Sequence, residues 1–114
     1  MTSTLVAERN QECMDVCASC AQTCEACVST CTQEGTAPEM AECISACLDC
    51  AALCRLMETL LARDSKYVAQ LSQICAEACE ACADECAKFD DKACQACAEA
   101  CRTCAEQCRA MAAA

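Results

Sequence analysis

The chain has 114 residues and a formal net charge of −10, from 8 basic and 18 acidic side chains, with no histidine. That balance excludes nucleic acid and anionic membrane surfaces as partners, and the lack of histidine removes the commonest general acid/base and nitrogen ligand. Cysteine occupies 19 positions, one in six, whereas Leu, Ile, Val and Phe together number 14, too few to fill an ordinary interior.

Free cysteine packs as a small hydrophobe and is among the most buried residue types, so it is the candidate core residue. No apolar run approaches the ~18–20 residues that a bilayer span needs. The opening Met1-Thr2-Ser3-Thr4-Leu5-Val6 has no basic segment followed by a long apolar stretch, so no secretory signal and a cytoplasmic location are expected.

Taken in chain order, the cysteines fall into four groups. The first is Cys13, Cys17, Cys20, Cys24, Cys27 and Cys31, on a helix predicted over 4–33. Gly35 is placed to end it, and Pro38 to open a second helix over 38–62 carrying Cys43, Cys47, Cys50 and Cys54. Asp64-Ser65 marks the next break, before a helix over 65–88 with Cys75, Cys79, Cys82 and Cys86. Phe89-Asp90-Asp91-Lys92 marks the last, where an Asp can cap a helix over 91–112 bearing Cys94, Cys97, Cys101, Cys104 and Cys108.

Within every group the steps alternate three and four, the 3.5-residue repeat of helices in a left-handed bundle, with cysteine where leucine would normally sit. Ala, Glu, Gln and Arg dominate the intervening positions, and all favour helix. With short connections the expectation is an all-α, antiparallel up-down-up-down four-helix bundle, one domain over 1–114, with a cysteine-lined core.

The same stripe, continued past the cysteines, separates the two ends. Val6, Met57, Leu61, Val68 and Met111, with Leu5, Leu60 and Leu71 alongside, collect at one end as a dry aliphatic plug. Cys31, Met40, Cys43, Cys86, Phe89 and Cys94 collect at the other, beside the Gly35 and Asp90 loops, and this end is the predicted mouth. Met40 there is either core filler or a first metal contact.

Positions three and four apart on a helix share a face, so each cysteine pair aims two sulfurs the same way, at a separation suited to one metal ion. Soft thiolates select Cu(I), Zn(II) or iron–sulfur clusters. Structural zinc sites take four ligands, usually from turns, and ferredoxins wrap a CxxCxxCxxxCP run around the cluster; neither pattern is present. Cu(I) accepts two or three thiolates, so a column of thiols becomes a column of sites, with capacity up to roughly one ion per cysteine. Each ion displaces thiol protons, which lets the core fill without accumulating charge and makes binding weaken in acid. Disulfides fit poorly, because the cysteine count is odd and intrahelical pairs miss the ~3.8 Å Cβ separation.

These four groups, and above all Cys94 to Met111 (CQACAEACRTCAEQCRAM), resemble the bacterial copper storage proteins of the cytosolic type. The resemblance spans nearly the whole chain. It implies a four-helix bundle that stores Cu(I), with Cys13 through Cys108 as the copper ligands, assembled as a tetramer. One departure stands out: cytosolic members carry histidines in the loop before the last helix, where this chain reads Lys88-Phe89-Asp90-Asp91-Lys92.

The expectation is therefore a non-enzymatic copper storage and sequestration protein, with copper ions and a cellular copper donor or acceptor as its partners. An iron–sulfur electron carrier and a thiol redox buffer are the alternatives. Leu48, Ala52 and Leu56 recur every fourth residue on the second helix, away from the cysteines, and form a candidate self-association strip.

Overall fold

The computed structural model describes residues 6–33 and 38–113. The expectations placed on Leu5, on the first residues of the first helix and on Gly35 lie outside the described residues. Within them the chain forms four helices, α1 (Glu8–Gln33), α2 (Ala41–Ala62), α3 (Val68–Cys86) and α4 (Lys92–Ala113). Neighbours in sequence pack antiparallel, and α4 returns against α1 to close the ring α1–α2–α3–α4. The packing is closest within α1–α2 and α3–α4. Buried alanines explain this: Ala21 on α1, Ala51 on α2, Ala76 and Ala83 on α3, Ala98 and Ala105 on α4 leave room for the backbones to approach.

The predicted breaks are present, with local differences. α2 begins at Ala41 rather than at Pro38, because residues 38–40 form a turn whose Met40 carbonyl accepts the Ile44 N–H at 2.9 Å. α2 ends in a Schellman motif: Ser65 N–H donates to the Leu60 carbonyl at 3.0 Å, and Asp64 N–H to the Leu61 carbonyl at 3.2 Å. Asp64, not glycine, takes the left-handed position at φ 48°. An aspartate tolerates this region better than most side chains, and Asn10 of α1 steadies it. Asn10 Nδ2 donates to Asp64 Oδ1 at 3.2 Å and to the Leu61 carbonyl at 3.1 Å. α3 starts at Val68, since residues 65–67 are spent on the turn, where Ser65 Oγ accepts the Tyr67 N–H at 3.2 Å.

The end predicted to be a plug has a buried apolar centre but is not purely aliphatic, and a surface cavity of ≈ 360 Å³ lined by Arg9, Asn10, Asp64, Val68 and Met111 lies over it. Met57 and Leu61 are fully buried, and Val68 and Met111 nearly so. Between them sit two polar residues absent from the sequence expectation, Asn10 and Ser72. Ser72 Oγ satisfies itself on the Val68 carbonyl at 2.6 Å and also faces the Met57 sulfur at 3.8 Å. Arg9 caps the outside, its guanidinium 3.5 Å from the Met111 sulfur.

Candidate metal centre

The 3.5-residue spacing brings all 19 cysteines to the bundle axis, each at most 2% exposed and each a free thiol. Helical geometry sets the rise between successive thiols, and the ring of four helices sets how they meet. On one side, α2 and α3 bring Cys43 to 3.3 Å from Cys86, Cys47 to 3.6 Å from both Cys82 and Cys86, Cys50 to 3.5 Å from Cys79, and Cys54 to 3.8 Å from Cys75 (all Sγ–Sγ). On the other, α1 and α4 pair Cys17 with Cys104 at 3.8 Å, Cys24 with Cys97 at 3.6 Å and with Cys101 at 3.7 Å, and Cys27 with Cys94 at 3.8 Å. Cys20 bridges to Cys50 and to Cys101, both at 3.8 Å. Cys31 lies 4.0 Å from Cys27, and Cys13 and Cys108 are buried at the closed end.

Two bonds from a metal to thiolates, at the ~2.3 Å typical of zinc and angles of about 100–120°, span ~3.5–4.0 Å. The sulfur network already has that spacing. Sets of four sulfurs within 4.8 Å of one another include Cys24/Cys47/Cys82/Cys97 and Cys27/Cys47/Cys86/Cys97, each with one thiol from every helix. They share Cys47 and Cys97, and Cys20/Cys24/Cys50/Cys101 shares Cys24 with the first. Sites that share corners favour clusters over isolated ions, and hard ligands are absent from these sets.

The thiols polarise one another. A thiolate that accepts S–H donors is favoured, and its donors hold their protons more tightly. Cys50 drops to about 7, with Cys101 its leading partner, and Cys104 to about 6 through Cys108. Cys101 also leads the lowering of Cys20, Cys82 and Cys97, while its own thiol is held protonated. At the closed end Cys13 falls to about 4 through hydrogen bonds from Cys108 and Cys17. The opposite end behaves differently. Burial pushes Cys31 up to about 11 and raises Cys43 and Cys94, so these thiols keep their protons at neutral pH.

This end, the predicted mouth, is covered. Met40 is 6% exposed and Phe89 packs partly buried against the core. A cavity of ≈ 380 Å³ opens from outside between α2 and α3 and is lined by Glu39, Glu42, Cys43, Glu85, Lys88 and Phe89. Lys88 is drawn aside to Glu85, 2.8 Å away, which leaves the lining net acidic around Cys43.

The four-helix frame has counterparts among known proteins. The family model for copper storage proteins matches residues 6–113. Among solved structures, the chain is similar to the Cu(I)-bound copper storage protein BsCsp3, with 39% identity, a TM-score of 0.88, and coverage of 92% of this chain and 99% of that one. The apo form of copper storage protein 3 from Bacillus subtilis gives 40% identity and a TM-score of 0.85 over 90% of this chain and 97% of that one. The copper storage protein of Streptomyces lividans loaded with 10 copper equivalents gives 35% identity and a TM-score of 0.88, over 97% and 89%. A comparison with curated proteins finds no match. With nearly its whole length matched, its fold shared and its thiols stacked on one axis, the chain belongs to the copper storage protein family.

Proposed function

We propose that this chain stores and sequesters Cu(I) in the cytosol, holding many ions on Cys13 through Cys108, up to roughly one per cysteine. The observation that carries the reading is the continuous column of 19 buried free thiols whose sets of four share corners. Ferredoxin-type binding lacks support, because its backbone must loop around the cluster, whereas every cysteine here sits on a helix. No helix among the described residues is long and apolar enough to cross a membrane. The cytosolic assignment is supported by likeness to a Streptomyces lividans protein described as a cytosolic copper storage protein, 36% identical with a TM-score of 0.89, with 94% of each chain covered.

The role is storage and not catalysis, in keeping with the copper storage family that the chain matches. Residues 1–114 act as one copper-binding unit. Copper passes from a donor, or to an acceptor, at the Cys31/Cys43 end, where Met40 and the buried thiols make the first contacts and the acidic rim of Glu39, Glu42 and Glu85 attracts the cation. Leu48 and Leu56 are 51% and 45% exposed, and Ile74 on α3, 52% exposed, lies near the level of Leu56, given the Cys54–Cys75 pairing. This apolar face supports self-association, with a tetramer as the assembly. The test is an anaerobic Cu(I) titration of the reduced protein.

A further inference from the structure

One set of sulfurs in the column has the edges of a tetrahedron. Cys24 on α1, Cys47 on α2, Cys82 on α3 and Cys97 on α4 are buried, with all four Sγ atoms within 4.8 Å of one another. Cys24–Cys97, Cys47–Cys82 and Cys47–Cys97 stand at 3.6 Å, and Cys82–Cys97 at 4.0 Å. A tetrahedral divalent ion with metal–sulfur bonds of ~2.3 Å sets its sulfurs about 3.8 Å apart. The four measured edges straddle that value. A four-cysteine site ordinarily draws its ligands from turns close in sequence, whereas here the ring of helices gathers them from positions as far as 73 residues apart.

Four thiolates around a doubly charged cation carry two excess negative charges, which a buried site tolerates when donors surround the sulfurs. Two further thiols stand where such donors are needed. Cys86 Sγ lies 3.6 Å from Cys47 and 4.0 Å from Cys82, and Cys101 Sγ lies 3.7 Å from Cys24 and 4.0 Å from Cys97. Each of the four sulfurs therefore has a thiol neighbour outside the set.

We propose that Cys24, Cys47, Cys82 and Cys97 form a four-thiolate site for one tetrahedral divalent cation of the zinc class, with Cys86 and Cys101 as positioning residues that donate S–H hydrogen bonds to it. Binding releases four protons to solvent and moves no electrons. The ion ties one residue of every helix to a common point. Cys27/Cys47/Cys86/Cys97 and Cys20/Cys24/Cys50/Cys101 share ligands with this set, so an ion here excludes one on either of them. One Cu(I) per thiolate leaves the same four sulfurs neutral, so copper displaces the divalent ion. The site rests on the sulfur geometry and goes beyond the copper reading.

Co(II) is the visible probe. Reduced apo-protein is titrated anaerobically with Co(II) and back-titrated with Zn(II), and X-ray absorption is recorded on the parent holding one Zn(II), which needs no variant. The expected result is a first Co(II) equivalent with thiolate charge-transfer and tetrahedral d–d bands, displaced by one Zn(II) that has four sulfurs at ~2.3 Å and no oxygen. Cys47→Ser weakens that equivalent by at least ~100-fold, one ligand's share of a structural site's affinity. Cys101→Ala weakens it by ~10-fold, and Cys101→Ser restores it, because a hydroxyl donates as a thiol does but does not replace a thiolate ligand. Fewer than four sulfurs around Zn(II), Co(II) binding of parental strength in Cys47→Ser, or loss of the tetrahedral bands in Cys101→Ser overturns the proposal. Many Cu(I) equivalents bound by a parent that takes no tetrahedral Co(II) would overturn this site and leave the storage reading standing.

Discussion

Cys47 on α2 and Cys97 on α4 hold their sulfurs 3.6 Å apart, although their helices lie diagonally across the bundle and their backbones do not approach one another. The same relation recurs at Cys50–Cys101, 3.9 Å, and Cys54–Cys104, 3.7 Å. Across this diagonal the helices communicate through sulfur, where an ordinary bundle would use interlocking leucines. An ion bound there ties the two helices together.

Copper loading should therefore raise the thermal midpoint, since the folded chain offers preformed sites that the unfolded chain lacks. Calorimetry of apo and loaded protein checks this, with a Cu(I) chelator returning the loaded sample to the apo midpoint. An unchanged midpoint after loading would mean that the ions do not bridge helices.

The two ends should respond differently to substitution. Leu61→Ala removes a fully buried side chain from the closed end and should cost about 2–5 kcal/mol. Asn10→Ala, which gives up two hydrogen bonds to the end of α2, should cost about 1–3 kcal/mol. Neither should slow copper uptake once the variant is folded. Cys31→Ser, Met40→Ala and Cys43→Ser should slow it in stopped-flow loading. Cys20 lies at the floor of a second cavity, ≈ 310 Å³, between α1 and α4. If Cys20→Ser alone slowed uptake, access would run through that groove and not the Cys43 end.

The apo protein should weaken in alkali. Burial, with a further contribution from Cys27, raises Cys31 from 9.0 to about 11, so its protonated form is favoured by folding. The stabilisation is complete below the unfolded value near 9.0 and is lost as pH rises toward about 11, because the unfolded chain sheds the proton first. Urea midpoints measured at pH 8 and pH 11 should fall, and Cys31→Ser should reduce that fall. Copper binding has the opposite slope: protons compete for the thiolates, so affinity drops as the solution is acidified.

Much of the fold and of the thiol column is legible in the amino-acid sequence. The alternation of three and four steps put every cysteine on one face of a helix, and all 19 are buried. Pro38, Asp64-Ser65 and Asp90-Asp91 mark breaks that the described residues contain, because turn and cap chemistry is local. The rest depends on contacts distant in sequence. Nothing near Asn10 signals that it reaches α2 to hold Asp64 at positive φ. Ser72 reads as an ordinary polar residue until its hydroxyl is seen turned back on Val68. The Asp90-Asp91 loop predicts an aspartate cap, and Asp91 stands there with its carbonyl on the Gln95 N–H, but only the fold reveals that its Oδ1 is buried without a hydrogen bond.

Leu48→Glu with Leu56→Glu should disrupt assembly, since both side chains are about half exposed on one helix face. Sedimentation velocity should then report a smaller species than the parent, with helicity and copper capacity retained. An unchanged sedimentation coefficient would remove this face from the interface.

The central claim is that the thiol column stores copper. Anaerobic titration of the fully reduced protein with Cu(I), against a competing chelator of known affinity, tests it most directly. The expected result is tight binding of many equivalents, approaching about one per cysteine, with affinity lost as the column is interrupted by serine substitutions at Cys47 and Cys97. Saturation at one or two ions would contradict it.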